Sequence, residues 1–533
     1  MELPPLISSL LRPGAYPGAD HNRPIELIQT HISYILLTPS FAYKIKKPVD
    51  FGFLDFTTLD RRLRMCAEEV RLNSRLAPAV YIGVVKITGS GGEFFMEGEG
   101  EAAEYAVKMR RLPAEGMLDK QLASGRAGKA AIVRIAGVIA SFHAKAARSA
   151  RISAFGSPEA IGANAAENFA QTLPFIGKGK GKTISAPLHK KIKTFSDGFL
   201  KENEALFLER VEEGFIRDCH GDLHCEHISV GDGGDGGDGD NGVEIIDCIE
   251  FNERFRFSDT ISDAAFLSMD LDFRGRHDLS LAFDEAYITA SGDLGGRRLL
   301  DFYRCYRAYV RGKVEGFKSV EEEVGTEEKA RAAFSARFHF HLSSMYADKG
   351  YCPMMVVVRG LSGTGKSTVA GALSSRTGFT LLSSDRIRRE LAGLAASERA
   401  PAPFKEGIYS PEFTAKTYDE LLKRAAALLA SGRPVILDAT FPAPARIERA
   451  LEAALSAGAF FHLVECACSD ELARERMEKR RAQDAGKVVS DADWGVYVKQ
   501  KKGFEPWPGP ALKLDTARPL EELISSVALK IFD

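Results

Sequence analysis

The sequence predicts an α+β domain of two lobes followed by an α/β domain on a parallel sheet, and three features of its 533 residues carry that reading. First, the β-branched run Met354 to Val358 leads into GLSGTGKS (Gly360 to Ser367), and helix-compatible TVAGALSSR follows. That order of strand, glycine loop and helix is the context of a phosphate-binding P-loop. A P-loop follows the first strand of its domain, so residues 351–533 form one domain and 1–350 another. Second, residues 32–37 and 41–47 read as two strands joined by a Thr-Pro-Ser turn, with a helix from Thr57 or Thr58 to about Leu76 and further strands at 82–87 and 105–109. This is a small lobe of about 1–112, and Arg110-Arg111-Leu112-Pro113 is its hinge into a large lobe of about 113–350. Third, apolar strands at 379–382, 434–437 and 461–466 recur after the P-loop with helical lengths between them, the pattern of a parallel sheet.

Composition excludes several classes. Apolar residues make 45% and charged residues 27% of the chain, the balance of an ordinary globular protein. No apolar run reaches the roughly 18 residues needed to span a bilayer, so no membrane partner is expected. The N-terminal MELPPLISSLLRPG lacks a positively charged leader region. Eight cysteines (66, 219, 225, 248, 305, 352, 466, 468) show no Cys-x-x-Cys pairing, which suits reduced thiols and a cytoplasmic location. A net charge of −2 leaves no overall nucleic-acid footprint.

The P-loop residues Gly360, Ser362, Gly363, Thr364, Gly365, Lys366, Ser367 and Thr368 are expected to bind a nucleotide. Glycines allow successive backbone N–H groups to turn onto a polyphosphate, Lys366 reaches the outer phosphates, and the Ser367 hydroxyl suits Mg²⁺. Asp385, following the second strand in SSDRIR, is a candidate base for an acceptor hydroxyl, with Arg388 one helical turn on; an N-cap is its rival use. Asp438 ends another buried strand and suits Mg²⁺ or its water. Arg474, Arg476, Arg480 and Arg481 crowd a helix that reads either as a lid over nucleotide or as a solvated charged surface.

In the N-terminal domain, Lys44 and Lys46 share a strand face, and Glu69 follows on the helix; a strand lysine with a helix glutamate is an arrangement that orients lysine on nucleotide phosphates. The stretch Cys219 to Ile228 holds two Cys and three His, but no second ligand cluster supports a structural zinc. A catalytic loop explains it better, with Asp222 accepting the proton of an attacking hydroxyl and His227 in the metal-ligand place five residues on. Asp247 ends the strand after it, where a second metal ligand is expected. The Gly/Asp-rich stretch 231–242 reads as a long hairpin tip.

Through His220-Gly-Asp222-Leu-His224, Ile246-Asp247, Asp259 and Asp263, residues 30–275 resemble the aminoglycoside phosphotransferase family of protein-kinase-like folds. With the P-loop half appended, the chain resembles bacterial two-domain aminoglycoside phosphotransferase-like/ATP-binding fusions of the polynucleotide kinase-like, AAA type. The C-terminal half is similar to P-loop kinases of the polynucleotide kinase, gluconate kinase and zeta-toxin group through GLSGTGKS, SSDRIR and LDATF. The resemblance implies ATP and Mg²⁺ as cofactors and transfer of the γ-phosphate to a hydroxyl acceptor, a small molecule or a nucleotide or polynucleotide end. It also implies Asp222 as base, Asp247 as metal ligand, and Lys44 or Lys46 with Glu69 on the phosphates. One position departs: the family carries asparagine where this chain has His227. The alternative implied by that departure is a kinase-like binding module that regulates an active C-terminal kinase or ATPase. Residues 145–193 carry nine basic residues against two acids, a formal +7, which favours an anionic or neutral acceptor over a polycationic one.

Overall fold

The computed structural model describes residues 3–17, 23–52, 54–179, 181–231, 242–348, 350–394, 407–483 and 494–533. Its contacts cluster into two compact units, one of residues 1–164, 199–270 and 281–303 and one of residues 165–198, 271–280 and 304–533. The fold is α+β in the first, and in the second a parallel α/β sheet.

The first unit contains a six-stranded antiparallel sheet of β1 (Glu26–Gln29), β2 (Ser33–Leu37), β3 (Phe41–Lys46), β4 (Tyr81–Ser90), β5 (Glu93–Met96) and β6 (Ala102–Arg110), in the order β1-β2-β3-β6-β4-β5. The β2–β3 turn is closed by Thr38, whose hydroxyl donates to the Phe41 carbonyl and accepts from its N–H. Period-two alternation sorts β3 cleanly. Tyr43 and Ile45 pack with Ile7, Leu10 and Tyr16 of an N-terminal segment, while Ala42 packs with Cys66 of the helix Leu59–Asn73 on the opposite face. Lys44 and Lys46 therefore share the face of Ala42, toward Glu69. Thr58 caps that helix by accepting from the Arg61 N–H, as expected for this residue type. The N-terminal segment, β1 and β5 escaped the sequence reading because each is short and two are sheet-edge elements.

The rest of this unit is mainly helical, with two small antiparallel pairs, β7 (Ile216–Asp218) with β10 (Phe257–Asp259) and β8 (Ile228–Val230) with β9 (Val243–Ile245). Arg210, fully buried, bridges Asp259 and Asp293. Residues 232–241 of the Gly/Asp-rich stretch lie outside the described residues.

In the second unit β11 (Met354–Arg359), β12 (Thr380–Ser383), β13 (Val435–Asp438), β14 (Phe460–Ala467) and β15 (Leu512–Asp515) form a parallel sheet in the order β12-β13-β11-β14-β15. Its core gathers Met355, Val357, Leu421, Ala425, Leu437 and Ile447, continuous apolar strand residues covered by helix faces. Helical segments preceding β11 belong to the same compact unit. Phe338, from the helix Thr326–Tyr346, stacks on Phe532 at 4.7 Å and meets Phe379 edge-on at 5.7 Å. Among the described residues no helix is long and apolar enough to cross a membrane.

Candidate functional site

In the parallel-sheet unit, β11 ends at Arg359 and the P-loop helix Lys366–Thr377 begins directly after the glycine loop. Gly363 and Gly365 take φ of 80° and 79°, and a Cβ on Gly363 would sit 2.9 Å from the Ala473 carbonyl oxygen. Both conformation and space thus require glycine there. A pocket is lined by Ser362, Gly363, Gly365, Lys366, Ser367, Thr368, Asp385 and Arg480. Gly360 underlies the loop, where a side chain would strike the Cys466 carbonyl, and Thr364 is tied inward to the Leu361 carbonyl at 2.8 Å.

Sheet register brings the acids to this loop. Asp438 lies opposite Val358 of β11 and Ser383 of β12, so the carboxyl ends of three adjacent strands converge on one crevice. Asp438 is buried, and its Oδ1 has no hydrogen-bond partner. Burial raises its pKa, although Lys366 and a hydrogen bond from Ser367 oppose the rise. An orphaned buried carboxylate oxygen beside a serine hydroxyl is an all-oxygen donor pair, and it fits Mg²⁺. When bound there, Mg²⁺ would offset negative charge on the phosphate oxygens. The loop glycines, Lys366 and half-buried Asp385 line the same pocket.

The second site lies in the first unit and is assembled from separated segments. Gly221, at φ 88°, would meet the Phe255 carbonyl 2.7 Å from an added Cβ. Asp263 fixes this loop by accepting from the His220 and Gly221 amides at 2.9 and 2.8 Å. His143 braces Asp263 at 3.1 Å and is itself held by the Tyr287 hydroxyl at 2.7 Å. The loop presents Asp222, whose Oδ2 is 3.5 Å from His224 Nε2 and 3.6 Å from His227 Nδ1. Asp247 sits at φ 65°, a left-handed backbone state uncommon among non-glycine residues and one that clusters at functional sites. Its Oδ1 accepts from Lys44 at 2.6 Å, and its Oδ2 is 3.5 Å from His227 Nε2. Lys44 also reaches Glu69 at 2.8 Å, while Lys46 bonds Glu69 at 2.7 Å and pairs with Glu250. Burial works against charge on both lysines, yet the surrounding carboxylates raise them well above the ordinary lysine value. Burial also opposes charge on Asp247, but the Lys44 ammonium outweighs it and holds the carboxyl below its usual range. Of the two lysines left open by the sequence, Lys44 is the one bonded to Asp247. Lys46 is fully buried and anchors Glu69 from behind.

The AAA domain family matches residues 355–507, which span the P-loop, Asp385, Asp438 and the arginine-rich helix. Rv2004c of Mycobacterium tuberculosis (strain ATCC 25618 / H37Rv) is 34% identical over 501 residues, 94% of this chain and 94% of that protein. The chain belongs to the Rv2004c family. Among solved structures, a choline/ethanolamine kinase family protein from Mesorhizobium loti covers 61% of this chain and 89% of its own, at 12% identity and a TM-score of 0.37. A putative kinase from Chloroflexus aurantiacus covers 34% of this chain and 97% of its own, at 26% identity and a TM-score of 0.27.

Across this family member the expected residues separate into two groups. Ser362, Gly363, Gly365, Lys366, Ser367, Thr368, Asp385 and Arg480 come together in one pocket, and Asp438 is hydrogen-bonded to Ser367 of its wall. Asp222, His227, Asp247, Lys44 and Glu69 form the other cluster, with Lys46 behind it. Arg388 is not among the pocket-lining residues: it is buried, donates to the Ile408 carbonyl at 2.7 Å and to Thr414 at 3.1 Å, and lies over the Tyr409 ring. It still lies near enough to Asp385 to feel that carboxylate's charge. Arg476 bonds the Thr516 hydroxyl and carbonyl at 3.0 and 2.7 Å, and the Arg481 side chain lies outside the described residues. Sequence reasoning missed Thr516, which donates to the Thr364 carbonyl at 2.8 Å, and Gln500, whose side-chain oxygen accepts from the Ser362 amide at 3.1 Å. Neither has a local motif; only the sheet order brings β15 to the loop.

The basic stretch at 145–193 is partly neutralised. Arg151 pairs with Glu253, Lys191 with Asp348 and Lys193 with Asp197. Lys180 lies outside the described residues.

Proposed function

We propose that this protein is an ATP-dependent phosphotransferase with two sites, each moving the γ-phosphate to a hydroxyl acceptor, the first at Asp222 and the second at Asp385. The observation that carries it is the single pocket in which a complete phosphate cradle, Lys366 and Ser367 share walls with Asp385. A phosphate cradle alone serves an ATPase switch; a carboxylate facing the same space adds a proton acceptor for a second substrate. AAA family membership of residues 355–507 supports nucleotide binding there. In the first unit the support is Lys44 held between Glu69 and Asp247 beside the Asp222 loop. The acceptor class is anionic or neutral, although the ion pairs along 145–193 reduce the steering charge from the formal +7.

A second reading keeps catalysis at the P-loop site and makes the Asp222 site a nucleotide-binding regulator. It is favoured by one observation, the imidazole of His227 where the related kinases place an amide oxygen. We place the change of fold type at residues 350/351, yet helices before that border share a compact unit with the P-loop sheet. The test therefore uses the full chain. ATP consumption and acceptor phosphorylation are measured over a panel of hydroxyl compounds for the parent, Lys366→Ala, Asp222→Ala and the double variant. Two sites predict two separable losses; turnover that depends only on Lys366 leaves the regulatory reading, and turnover that survives both changes refutes the assignment.

A further inference from the structure

An imidazole nitrogen and a carboxylate oxygen face each other at the Asp222 site. His227 Nδ1 lies 2.9 Å from the backbone carbonyl oxygen of Asp222. A carbonyl can only accept, so Nδ1 must carry a ring proton. The other nitrogen, Nε2, points at Asp247 Oδ2 from 3.5 Å, and the partner oxygen of that carboxylate is already occupied by Lys44. In the neutral ring, Nε2 is a lone pair directed at a negatively charged oxygen. A second ring proton or a metal ion between the two atoms relieves that juxtaposition, and the nitrogen–oxygen pair at this spacing suits a metal ion.

The surroundings fix this arrangement. The His227 side chain is only 15% exposed, and its ring packs 3.9 Å, centroid to centroid, from that of His224. Asp222, His224 and His227 also bring ligand atoms within 4.8 Å of one another. Two donors bound at roughly 2.1 Å to one ion lie roughly 3.0 to 3.4 Å apart, so the observed spacing needs only a small contraction. The chemistry of the pair is the discriminating feature. Mg²⁺ takes oxygen ligands and gives up water reluctantly, whereas first-row transition ions accept imidazole readily. The P-loop site, with Ser367 and Asp438, offers oxygen alone; the Asp222 site offers nitrogen and oxygen.

The geometry points to a divalent transition-metal site in the first unit, of the Mn²⁺, Co²⁺ and Zn²⁺ class, held by His227 Nε2 and Asp247 Oδ2 and selective against Mg²⁺. His227 is then the specificity-determining ligand, and the two sites of one chain draw on different cations. Only the filling of the remaining positions by nucleotide phosphate rests on the phosphotransferase reading; the ligand pair does not.

The test uses Mn²⁺ alone on the full chain carrying Ser367→Ala, which removes an oxygen donor from the P-loop site. Free Mn²⁺ is followed by electron paramagnetic resonance, with Mg²⁺ as competitor, and nitrogen coupling to the bound ion is read by pulsed measurement. The expected result is one Mn²⁺ per chain with imidazole nitrogen coupling, displaced by Mg²⁺ only at about tenfold or greater excess. Adding His227→Asn should abolish the coupling and weaken Mn²⁺ about tenfold or more, leaving Mg²⁺ little changed. Asp247→Asn should weaken Mn²⁺ as well, and His224→Asn should retain the coupling. Absence of nitrogen coupling, or coupling and affinity unchanged by His227→Asn, overturns the proposal. Turnover is not the readout, so loss of the phosphotransferase reading would leave a positive metal result standing, and a negative metal result would leave that reading open to its own test.

Discussion

The two candidate phosphate sites meet similar electrostatic demands with different parts of the chain. At the P-loop, contiguous residues Gly360 to Ser367 supply amides, a lysine and a hydroxyl, and most of the cradle is backbone. At the Asp222 site, Lys44, Glu69, Asp222, His227 and Asp247 arrive from a strand, a helix and the loops around β8 and β9, and ion pairs hold them together. A backbone cradle separates binding from stability. A lattice of buried charges couples them, because each member is also a structural counter-ion for another.

The largest effect should break that lattice. Glu69 is fully buried and contacts both Lys44 and Lys46 at 2.8 and 2.7 Å. Glu69→Ala leaves two buried ammonium groups short of a counter-ion, and unfolding stability should fall by about 3–5 kcal/mol. Denaturant unfolding checks this. A loss below about 1 kcal/mol would show that Asp247 and Glu250 compensate alone, and the contrast between the sites would weaken.

At the P-loop the balance reverses. Lys366→Ala should cut the Asp222-independent turnover by about 10²–10³-fold, the usual worth of a positioned charge on reacting oxygens, while the melting temperature barely moves. Asp385→Asn should lower acceptor phosphorylation by roughly 10²-fold and spare ATP affinity. Isothermal titration with a non-hydrolysable ATP analogue separates the two: if Asp385→Asn also weakens nucleotide binding, the carboxylate is part of the fold of the loop and not a proton acceptor.

The same contrast explains what could be read from the chain alone. GLSGTGKS was legible because its function is local, and Asp385 and Asp438 because each follows an apolar strand, whose carboxyl end must face the loop in a parallel sheet. In the first unit, the hairpin, Glu69 and Asp222 could be found, but not which lysine serves which partner. Lys44 and Lys46 are identical in local pattern; only Asp247 and Glu250, about 200 positions later in sequence, distinguish them. Arg388 shows what spacing leaves out: one helical turn puts it near Asp385, but its bonds to the Ile408 carbonyl and the Thr414 hydroxyl come only from the fold. Thr516 and Gln500 were invisible because they act only through tertiary placement beside the P-loop.

The smallest effect concerns buried histidines in the parallel-sheet unit. His341 and His462 have their pKa values pushed down to about 4, first by burial and then by nearby positive charge. Against an ordinary value near 6.5, the unfolded chain binds more protons between pH 6.5 and pH 4. Their contribution is thus complete above about pH 6.5 and is lost as pH falls toward 4. His220 in the first unit is likewise lowered to about 4 by burial, so acid weakens both units, and only residue-specific variants separate them. Melting temperatures of the parent and His462→Gln are compared at pH 7.5 and pH 5. His462 is the less enclosed of the unit's pair and its replacement is neutral at both values, so the variant should lose fewer degrees on acidification than the parent. An equal or larger loss in the variant would mean that the acid sensitivity of this unit resides elsewhere, with carboxylates held below their usual range, such as Asp278 beside Arg276, the next groups to examine.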